Sequence, residues 1–343
     1  MRIRPIVVVR VALFSLGVAL CLPAARVDAA QHKTTSHHTV AHKKTSYSAR
    51  AANARRVKLA RARASARLRE EARLRELHAA MTPHFKTDAN GQIVPDVQAA
   101  AAIIFNPVNG QVIYEENSQD KRSIASITKV MTALVFLEDN PDLTTEIAID
   151  RSDTYAASTT YLKAGDRITY TELLHLMLIA SDNAAARALA RTSHGGTAEF
   201  VERMNEKAIE LGLANTSFAD PSGLNPDNMS SAFDVSHLIT FAASDERIAS
   251  IMQTPTYTVT TNRRMIPIHS TDHLLLDGDV AVMGAKTGFI SKAGYCLATL
   301  LRLPQGNPVA VVVLGAHSNN GRFWEVRHLF DWISQKAGVT GQQ

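Results

Sequence analysis

The strand-forming segments of this chain lie at the two ends of one region, with helical patterns between them. Three successive apolar runs, rich in β-branched residues, span 281–290, 294–303 and 308–317. Two more flank the turn Asn106–Gly110, far earlier in the chain, and resemble a hairpin. The segment 122–250 has mostly the apolar period of helices. Because these strands must pair across a helical insertion, the sequence predicts an antiparallel sheet flanked by helices, in the α+β class.

The first 29 residues have the pattern of a secretory signal peptide. Arginines within the first ten residues precede an apolar run to about Ala25, and Val27 and Ala29 fit the small-residue rule for cleavage after Ala29. An uncleaved membrane anchor is the alternative, but the run is short for a bilayer span and Pro23 interrupts it. No other segment is apolar enough to span a membrane. We therefore expect export to the periplasm and removal of residues 1–29.

A basic, low-complexity tail is predicted over residues 30–92, ahead of a folded domain at 93–340. Residues 30–80 carry 13 Lys and Arg against 3 Asp and Glu, whereas 81–343 carry 20 against 28. Because the folded part is acidic, the sequence argues against nucleic-acid binding. The start of the tail is predicted to be disordered, and helix is favoured in part from about Ala51. An anionic envelope polymer or membrane surface is a candidate partner of the tail.

Metal and disulfide chemistry are not expected in the folded domain. The tail histidines at positions 32, 37, 38 and 42 could bind a metal weakly, although a solvated spacer is the favoured interpretation. No metal and no cofactor is predicted. After removal of the signal peptide only Cys296 remains, so the mature chain has no internal disulfide. Its strand-like surroundings predict a buried, inert thiol.

Ser126 and Lys129 lie at the head of the apolar segment "RSIASITKVMTALVFLEDNP". From Ile127 onward the apolar residues fall on every side, which is typical of a buried helix, and Pro141 is expected to end it. Residues three apart share a helical face, so Ser126 Oγ and Lys129 Nζ can meet. A serine N-cap followed by a lysine that extends to water would give the same pattern.

Two further short motifs follow in chain order. Ser-Asp-Asn occupies 181–183, between two predicted helices, and Lys-Thr-Gly occupies 286–288, within a predicted strand. Alone, the first could be a helix cap and the second an edge strand with a turn glycine. The ordered triple Ser-x-x-Lys, Ser-Asp-Asn and Lys-Thr-Gly is typical of class A β-lactamases and penicillin-binding proteins. Together the motifs predict a serine acyl-enzyme site.

From about residue 94 to 337 the chain resembles the D-alanyl-D-alanine peptidases (type S11) of the low-molecular-mass penicillin-binding proteins, which trim bacterial peptidoglycan. The resemblance is carried by "IASITKVMTALV", "IASDNAAARALA", "MNEKAIELGLANTSFADPSGLN" and "KTGFISKAGYCL". It is most similar to the branch called penicillin-binding protein 7, a periplasmic D,D-endopeptidase. The resemblance implies a β-lactamase/transpeptidase-like fold with a helical subdomain, peptidoglycan stem peptides as substrates and β-lactams as covalent inhibitors. Some members carry a further C-terminal β-domain, which we do not expect here.

Chemistry suggests roles for the first two motifs. A serine hydroxyl needs a base, and with no histidine in the motif Lys129 must activate Ser126. Its pKa has to fall from about 10.4 towards neutrality, and burial and the cation Lys286 are the expected causes. Ser181 would relay the proton to the leaving nitrogen, while Lys286 holds it. Asn183 would hold the amide on the acyl side of the substrate.

The resemblance implies substrate contacts for the third motif. The strand from Lys286 through Gly288 to Phe289 would pair with the substrate backbone. Thr287 and Lys286 would hold a substrate carboxylate. The backbone N–H groups of Ser126 and Phe289 would form the oxyanion hole, directed at the developing negative oxygen.

Three alternatives to the endopeptidase remain at this stage. A D-alanyl-D-alanine carboxypeptidase would use the same motifs, so the sequence does not separate the two. A class A β-lactamase needs a glutamate after Ser-Asp-Asn to activate water, but none occurs between Glu210 and Glu246, where the loop contains "DPSGLNPDN". A catalytically silent wall-binding protein would not require the intact motif residues.

Overall fold

The computed structural model of the chain describes residues 42–278 and 280–340. Two compact units divide the chain, 1–69 and 70–343. The predicted signal peptide and the first part of the tail lie outside the described residues. Within the part that is described, no helix is both long enough and apolar enough to cross a membrane.

The described residues form helices of 4 to 40 residues and strands of 2 to 10 residues. The helices are α1 His42–Met81, α2 Thr128–Glu138, α3 Arg151–Thr154, α4 Tyr170–Ile179, α5 Asn183–Thr192, α6 Gly196–Glu210, α7 Ala232–Ala242, α8 Glu246–Met252, α9 His273–Asp277 and α10 Asn319–Thr340. The strands are β1 Phe85–Thr87, β2 Ile93–Pro95, β3 Ala101–Asn106, β4 Gln111–Glu116, β5 Arg122–Ser123, β6 Glu146–Ala148, β7 Arg167–Thr169, β8 Met229–Ser230, β9 Thr256–Thr260, β10 Met265–His269, β11 Ala281–Ile290, β12 Gly294–Arg302 and β13 Pro308–Ala316. A 3₁₀ turn, Ala125–Ile127, leads directly into α2.

The main sheet has five antiparallel strands in the order β11-β12-β13-β3-β4. The early hairpin β3–β4 therefore pairs with the last strand, β13, which confirms the predicted pairing across the helical insertion. β11 lies at one edge of the sheet and pairs only with β12 among the described strands. This edge strand carries the Lys-Thr-Gly motif.

Successive side chains of the central strands belong to two different apolar clusters, one on each face of the sheet. Ile103 of β3 and its partner Val312 of β13 belong to one apolar cluster, together with residues of α2, α4, α5 and α7. The next pair, Ile104 and Val311, belongs to a second cluster with residues of α10. Because successive side chains of a strand point to opposite faces, the sheet is covered by helices on both sides. The predicted closing helix is confirmed as α10.

The structure adds strands that the sequence did not predict. Strand β1 precedes the predicted domain start at residue 93, where its partner β2 begins, and β5–β8 and β6–β7 are small ribbons within the helical region. The hairpin β9–β10 was also missed, and its Pro267 argues against a strand by sequence alone. The proline is tolerated because β10 pairs only with β9 in the described residues.

Two predicted helix limits are wrong. α2 ends at Glu138 rather than at Pro141, because Asn140 adopts a left-handed conformation with φ 48° and donates its N–H to Leu137 O. The tail helix α1 begins at His42 rather than near Ala51, so the predicted disorder does not hold from that residue onward. Its Ala, Arg, Lys, Leu and Glu content favours helix without a packing partner.

Cys296 of β12 is buried and unpaired, as predicted. Burial raises the pKa of its thiol to about 11. A thiol that rarely ionises is a poor nucleophile, so the structure supports the interpretation of an inert core residue.

Candidate active site

The backbone around Ser126 is strained and tightly enclosed. The preceding residue, Ala125, has φ 47°, a left-handed conformation that is uncommon for a residue with a side chain. A Cβ added at Gly223 would lie 2.1 Å from Ala125 O, and one at Gly288 would lie 3.1 Å from Ser126 N. Such strain persists only where surrounding structure fixes it. Two glycines from distant segments therefore hold the turn that presents Ser126.

Lys129 lies one turn beyond Ser126 and is fully buried. Its Nζ donates to Ser126 Oγ at 2.8 Å, to Asn183 Oδ1 at 2.6 Å and to the backbone oxygen of Ser222 at 2.5 Å. The predicted meeting of Ser126 and Lys129 is confirmed. The alternative of a lysine that extends to water is wrong, because no part of Lys129 is exposed.

Burial lowers the pKa of Lys129 to about 7. The carboxylates of Asp220 and Asp182 oppose this shift, and the guanidinium of Arg187 adds to it. The predicted effect of burial is confirmed, and the predicted repulsion between Lys129 and Lys286 is present as well. Lys286 has a pKa well below its ordinary value, because it is buried and because Lys129 repels its proton.

The acceptors around Lys129 also direct its lone pair. A neutral amine has two N–H groups and one lone pair. Asn183 Oδ1 and Ser222 O accept hydrogen bonds but cannot donate at those atoms, so they take the two N–H groups. The lone pair is then left for the hydroxyl proton of Ser126. Asn183 is itself fixed, since its Nδ2 donates to Ala157 O at 2.7 Å.

The Ser-Asp-Asn motif joins α4 to α5. Asp182 is the N-cap of α5 and accepts from Ala185 N, which explains why the helix begins at Asn183. Ser181 has φ 60° and receives a hydrogen bond of 2.9 Å from Lys286 Nζ. The second and third motifs are thus in contact, as the sequence predicted.

The open part of the site is a cleft of about 450 Å³ beside β11. Of the predicted site residues, six line it: Ser126, Ser181, Asn183, Thr287, Gly288 and Phe289. Lys129 and Lys286 lie beneath this lining and are at most 1% exposed. Of the described residues that line the cleft, none is Asp or Glu. The cleft therefore presents hydroxyl and amide groups over two buried amines.

The comparisons with known proteins agree with this geometry. The D-alanyl-D-alanine carboxypeptidase family, peptidase family S11, matches residues 88–318. The D-alanyl-D-alanine endopeptidase of Escherichia coli is 32% identical over 250 residues, which cover 70% of this chain and 78% of that protein. The chain belongs to the S11 family. The D-alanyl-D-alanine carboxypeptidase DacF of Bacillus subtilis is also 32% identical, over 68% of this chain and 62% of that protein.

Solved structures show the same β-lactamase/transpeptidase-like fold. The Streptomyces K15 DD-transpeptidase is 28% identical, with a TM-score of 0.66 over 69% of this chain and 97% of that one. A penicillin-binding protein homologue from Mycobacterium tuberculosis is 28% identical, with a TM-score of 0.66 over 72% of this chain and 95% of that one. The predicted family and fold class are confirmed.

The sequence alone missed part of this S11 site. In the loop 219–228, Asp220 accepts from Gly223 N and Ser222 Oγ, and Asn228 Nδ2 also donates to it. These contacts fix the backbone oxygen of Ser222 on Lys129. The Asp-Pro-Ser-Gly string predicts a turn, but its contact with Lys129 is a tertiary feature with no local signal.

Thr271 and Arg322 are among the residues that line the cleft without having been predicted. Thr271 Oγ1 lies 2.6 Å from Thr287 Oγ1. Arg322 of α10 is buried, and its Nη1 donates to the backbone oxygens of Gly288 at 3.0 Å and Cys296 at 3.2 Å. An arginine in an amphipathic helix is usually exposed, so nothing in the sequence predicts that Arg322 belongs to the site. No cluster of residues that could hold a metal ion occurs in the described part of the chain.

Proposed function

We propose that this S11 peptidase cleaves D-alanyl bonds in the stem peptides of peptidoglycan through an acyl-enzyme on Ser126. The contact of 2.8 Å between Lys129 Nζ and Ser126 Oγ carries the proposal. Lys129 is a fully buried amine with a pKa of about 7, so a large fraction is neutral at physiological pH. A base of matched pKa beside a serine is the requirement for nucleophilic catalysis without histidine.

In the acylation step, Lys129 takes the hydroxyl proton while Ser126 Oγ forms a bond to the carbonyl carbon of D-alanine. Lys129 returns that proton through Ser181 to the leaving nitrogen, and the carbon–nitrogen bond breaks. The hydrogen bond from Lys286 to Ser181 Oγ orients this relay. An ester on Ser126 and a free amine result.

The oxyanion forms beside the backbone of the nucleophile. Gly288 packs against Ser126 N, and Phe289 follows it in the strand, so the N–H groups of Ser126 and Phe289 are the proposed donors. Donors that are fixed before the reaction stabilise the developing charge without reorganisation. Thr287 and Lys286 would hold the carboxylate of the leaving group, and Asn183 the acyl-side amide.

In the second step water attacks the ester, with Lys129 as the base that takes the proton and returns it to Ser126 Oγ. β-Lactams would acylate the same serine. No carboxylate lines the described cleft, and Ser222 of the loop that lacks glutamate contacts Lys129 instead. Slow hydrolysis of the penicilloyl ester is therefore expected, which argues against the β-lactamase alternative.

The preferred bond is the D-alanyl cross-link between two stems. Relatives that are named endopeptidases support this choice: the proteins of Escherichia coli and Pseudomonas aeruginosa match over 78% and 79% of their lengths. A carboxypeptidase that removes terminal D-alanine is the second candidate, supported by the identity with DacF and by the family description. Both substrates place a carboxylate beyond the bond that is cut.

One comparison separates the two activities. We expect kcat/KM for a cross-linked muropeptide dimer to exceed that for an uncross-linked pentapeptide, because this ratio reports differential binding of the two transition states. A higher value for the pentapeptide would identify a carboxypeptidase and leave the acyl-enzyme chemistry unchanged.

Covalent labelling tests the acyl-enzyme itself. Fluorescent penicillin should label the wild type and the control Ser123→Ala, which loses a buried hydroxyl that has no hydrogen-bond partner among the described residues. Ser126→Ala should not be labelled. Labelling of Ser126→Ala would disprove the assignment of the nucleophile, whereas a wild type that is not labelled would favour the catalytically silent alternative.

The cellular setting is part of the same proposal. Residues 1–29 would direct export to the periplasm, where peptidoglycan is accessible. The helix α1 would bind an anionic envelope surface, because its 40 residues include 12 Lys and Arg against 3 Glu, and its described side chains are exposed. Such binding is electrostatic and weakens with salt.

A further inference from the structure

Two threonine hydroxyls meet in the cleft, one from the Lys-Thr-Gly strand and one from the segment between β10 and α9. Thr271 Oγ1 lies 2.6 Å from Thr287 Oγ1, and both residues line the cleft. Within the described residues neither hydroxyl has another hydrogen-bond partner. Because one hydroxyl donates to the other, the second proton has no acceptor in that part of the protein. The pair therefore has a donor to offer to a ligand.

The backbone of Thr271 is fixed on both sides. Its N–H donates to the backbone oxygen of Ile179, the last residue of α4, at 3.2 Å. The preceding residue, Ser270, donates its N–H to Pro255 O at 2.8 Å, and the following residue, Asp272, caps α9. The hydroxyl of Thr271 is thus held in place before a substrate binds, which lowers the entropic cost of binding.

The buried cations beside the hydroxyl pair have most of their N–H groups occupied. Lys286 Nζ donates to Ser181 Oγ at 2.9 Å and to the backbone oxygen of Thr287 at 3.1 Å. Arg322 Nη1 donates to two backbone oxygens, and its Nη2 donates to Asn319 Oδ1. Even a protonated lysine has only three N–H groups, so Lys286 keeps at most one for a ligand. A carboxylate has about four acceptor sites and needs further donors.

We propose that Thr271 is a substrate-binding residue, which together with Thr287 donates hydrogen bonds to the carboxylate beyond the scissile bond. This inference rests on the proposed function, because it adds a residue to the leaving-group side of the same cleft. Each hydroxyl can rotate, and exchanges its bond to the other threonine for a bond to one carboxylate oxygen. Hydrogen bonds to an ionised acceptor are stronger than the neutral bond that is given up.

The charges around the pair favour an anion over a neutral group. Lys286 belongs to the same strand as Thr287, and Arg322 contacts the backbone of that strand at Gly288. None of the described residues that line the cleft is Asp or Glu. Thr271 should therefore contribute more to the binding of a carboxylate than to the binding of the corresponding amide.

The test uses two D-alanyl thioesters, one with mercaptoacetate as leaving group and the other with its uncharged amide. Thr271→Val keeps the shape of the side chain and removes the hydroxyl. We expect it to lower kcat/KM for the carboxylate substrate about 10-fold or more, the loss that removal of a hydrogen bond to a charged group produces. For the amide substrate kcat/KM should fall only about 3-fold, because hydrogen bonds between neutral groups are weaker.

Two controls separate the hydroxyl from the shape of the site. Thr271→Ser retains the hydroxyl and should stay close to the wild type on both substrates. Thr216→Val removes a hydroxyl that lies 2.8 Å from Ser230 Oγ, and neither of those residues lines the cleft. It should behave like the wild type. Saturating fluorescent penicillin should label Ser126 in all these proteins, which shows that the site is assembled.

The ratio of the two losses decides the inference. Equal losses for the two thioesters in Thr271→Val, or no loss for the carboxylate substrate, would overturn the role of Thr271 while penicillin still labels Ser126. A wild type that penicillin does not label would overturn the proposed function as well.

Discussion

Lys129 must lose its proton before it can accept one from Ser126. Since burial lowers its pKa to about 7, the second-order rate of acylation by penicillin should rise with pH and level off above about pH 8. Lys129→Ala should abolish acylation and retain the fold. Stopped-flow labelling between about pH 5 and pH 9 gives the profile. Acylation of Lys129→Ala at the wild-type rate would show that the base lies elsewhere.

Gly223 should tolerate no side chain. Its φ is 82°, and an added Cβ would lie 2.1 Å from Ala125 O, so Gly223→Ala should displace the turn that carries Ser126. We expect a loss of several kcal/mol in the free energy of unfolding, or loss of folding, together with loss of penicillin labelling.

Gly212→Ala is the matched control for Gly223→Ala. Gly212 has φ 69°, but apart from its two chain neighbours no described residue has an atom within 4 Å of an added Cβ. The control therefore has the backbone strain without the clash, and should lose only about 1 kcal/mol and retain labelling. Equal urea denaturation midpoints for the two variants would show that close packing at Gly223 is unimportant.

The sequence predicted the motif side chains of the site better than the groups that hold those side chains in place. Ser126, Lys129, Ser181 and Lys286 belong to motifs with fixed spacing, so their contacts could be expected before the fold was known. The contact between Lys129 and the backbone oxygen of Ser222 could not be predicted, because every residue type has a backbone oxygen. The buried position of Arg322 is equally invisible, because an arginine in an amphipathic helix is ordinarily exposed.

At the scale of elements, residue type and period were sufficient for the strands of the main sheet and for α10. The missed strands are short ribbons of two to five residues, whose partners lie in other segments of the chain. Local pattern cannot specify such pairings, because the stabilising contacts are between strands rather than within them. The end of α2 was misplaced since the left-handed Asn140 stops the helix before the proline.

Asp182 joins the start of α5 to the loop beside the cleft. Besides capping Ala185 N, its carboxylate accepts from Tyr161 N at 2.6 Å and Thr160 Oγ1 at 3.0 Å. Asp182→Ala should therefore lower the free energy of unfolding by about 3 kcal/mol or more, because three donors lose a buried carboxylate acceptor. It should also slow acylation, since Asn183 follows it.

Asp150→Ala is the corresponding control, because Asp150 caps the short exposed helix α3. Loss of an ordinary cap costs about 1 kcal/mol, and acylation should be unaffected. Urea denaturation and penicillin labelling measure both effects. If Asp182→Ala were no more harmful than Asp150→Ala, the loop contacts would contribute little.

At the scale of the whole molecule, Lys129 makes stability depend on pH. Its pKa is about 7 in the folded protein and 10.5 in the unfolded chain, so the unfolded state binds more protons between these values. The free energy of unfolding should therefore rise with pH across this window, by about 5 kcal/mol from Lys129 alone. Lys129→Met should have a flatter dependence. Parallel urea denaturation series for the two proteins between about pH 7 and pH 9 would contradict this.

The basic tail should act independently of catalysis. Deletion of residues 30–80 should leave turnover of small soluble substrates unchanged, but reduce retention on vesicles that contain anionic lipids. The difference should be greatest at low salt, because exposed charges are screened over about 10 Å at 0.1 M. Co-sedimentation at two salt concentrations measures it. Equal retention of both proteins would identify the tail as a spacer.

The enclosure of Ser126 links its reactivity to completion of folding. Its turn is held by Gly223 and Gly288, and its base by Asn183 and Ser222, so segments from most of the domain must be assembled together. A partly folded chain would carry the same serine without an activated hydroxyl. Covalent capture by a fluorescent β-lactam would therefore count native molecules in a mixed population, and a brief pulse during refolding would record when the last segment docks.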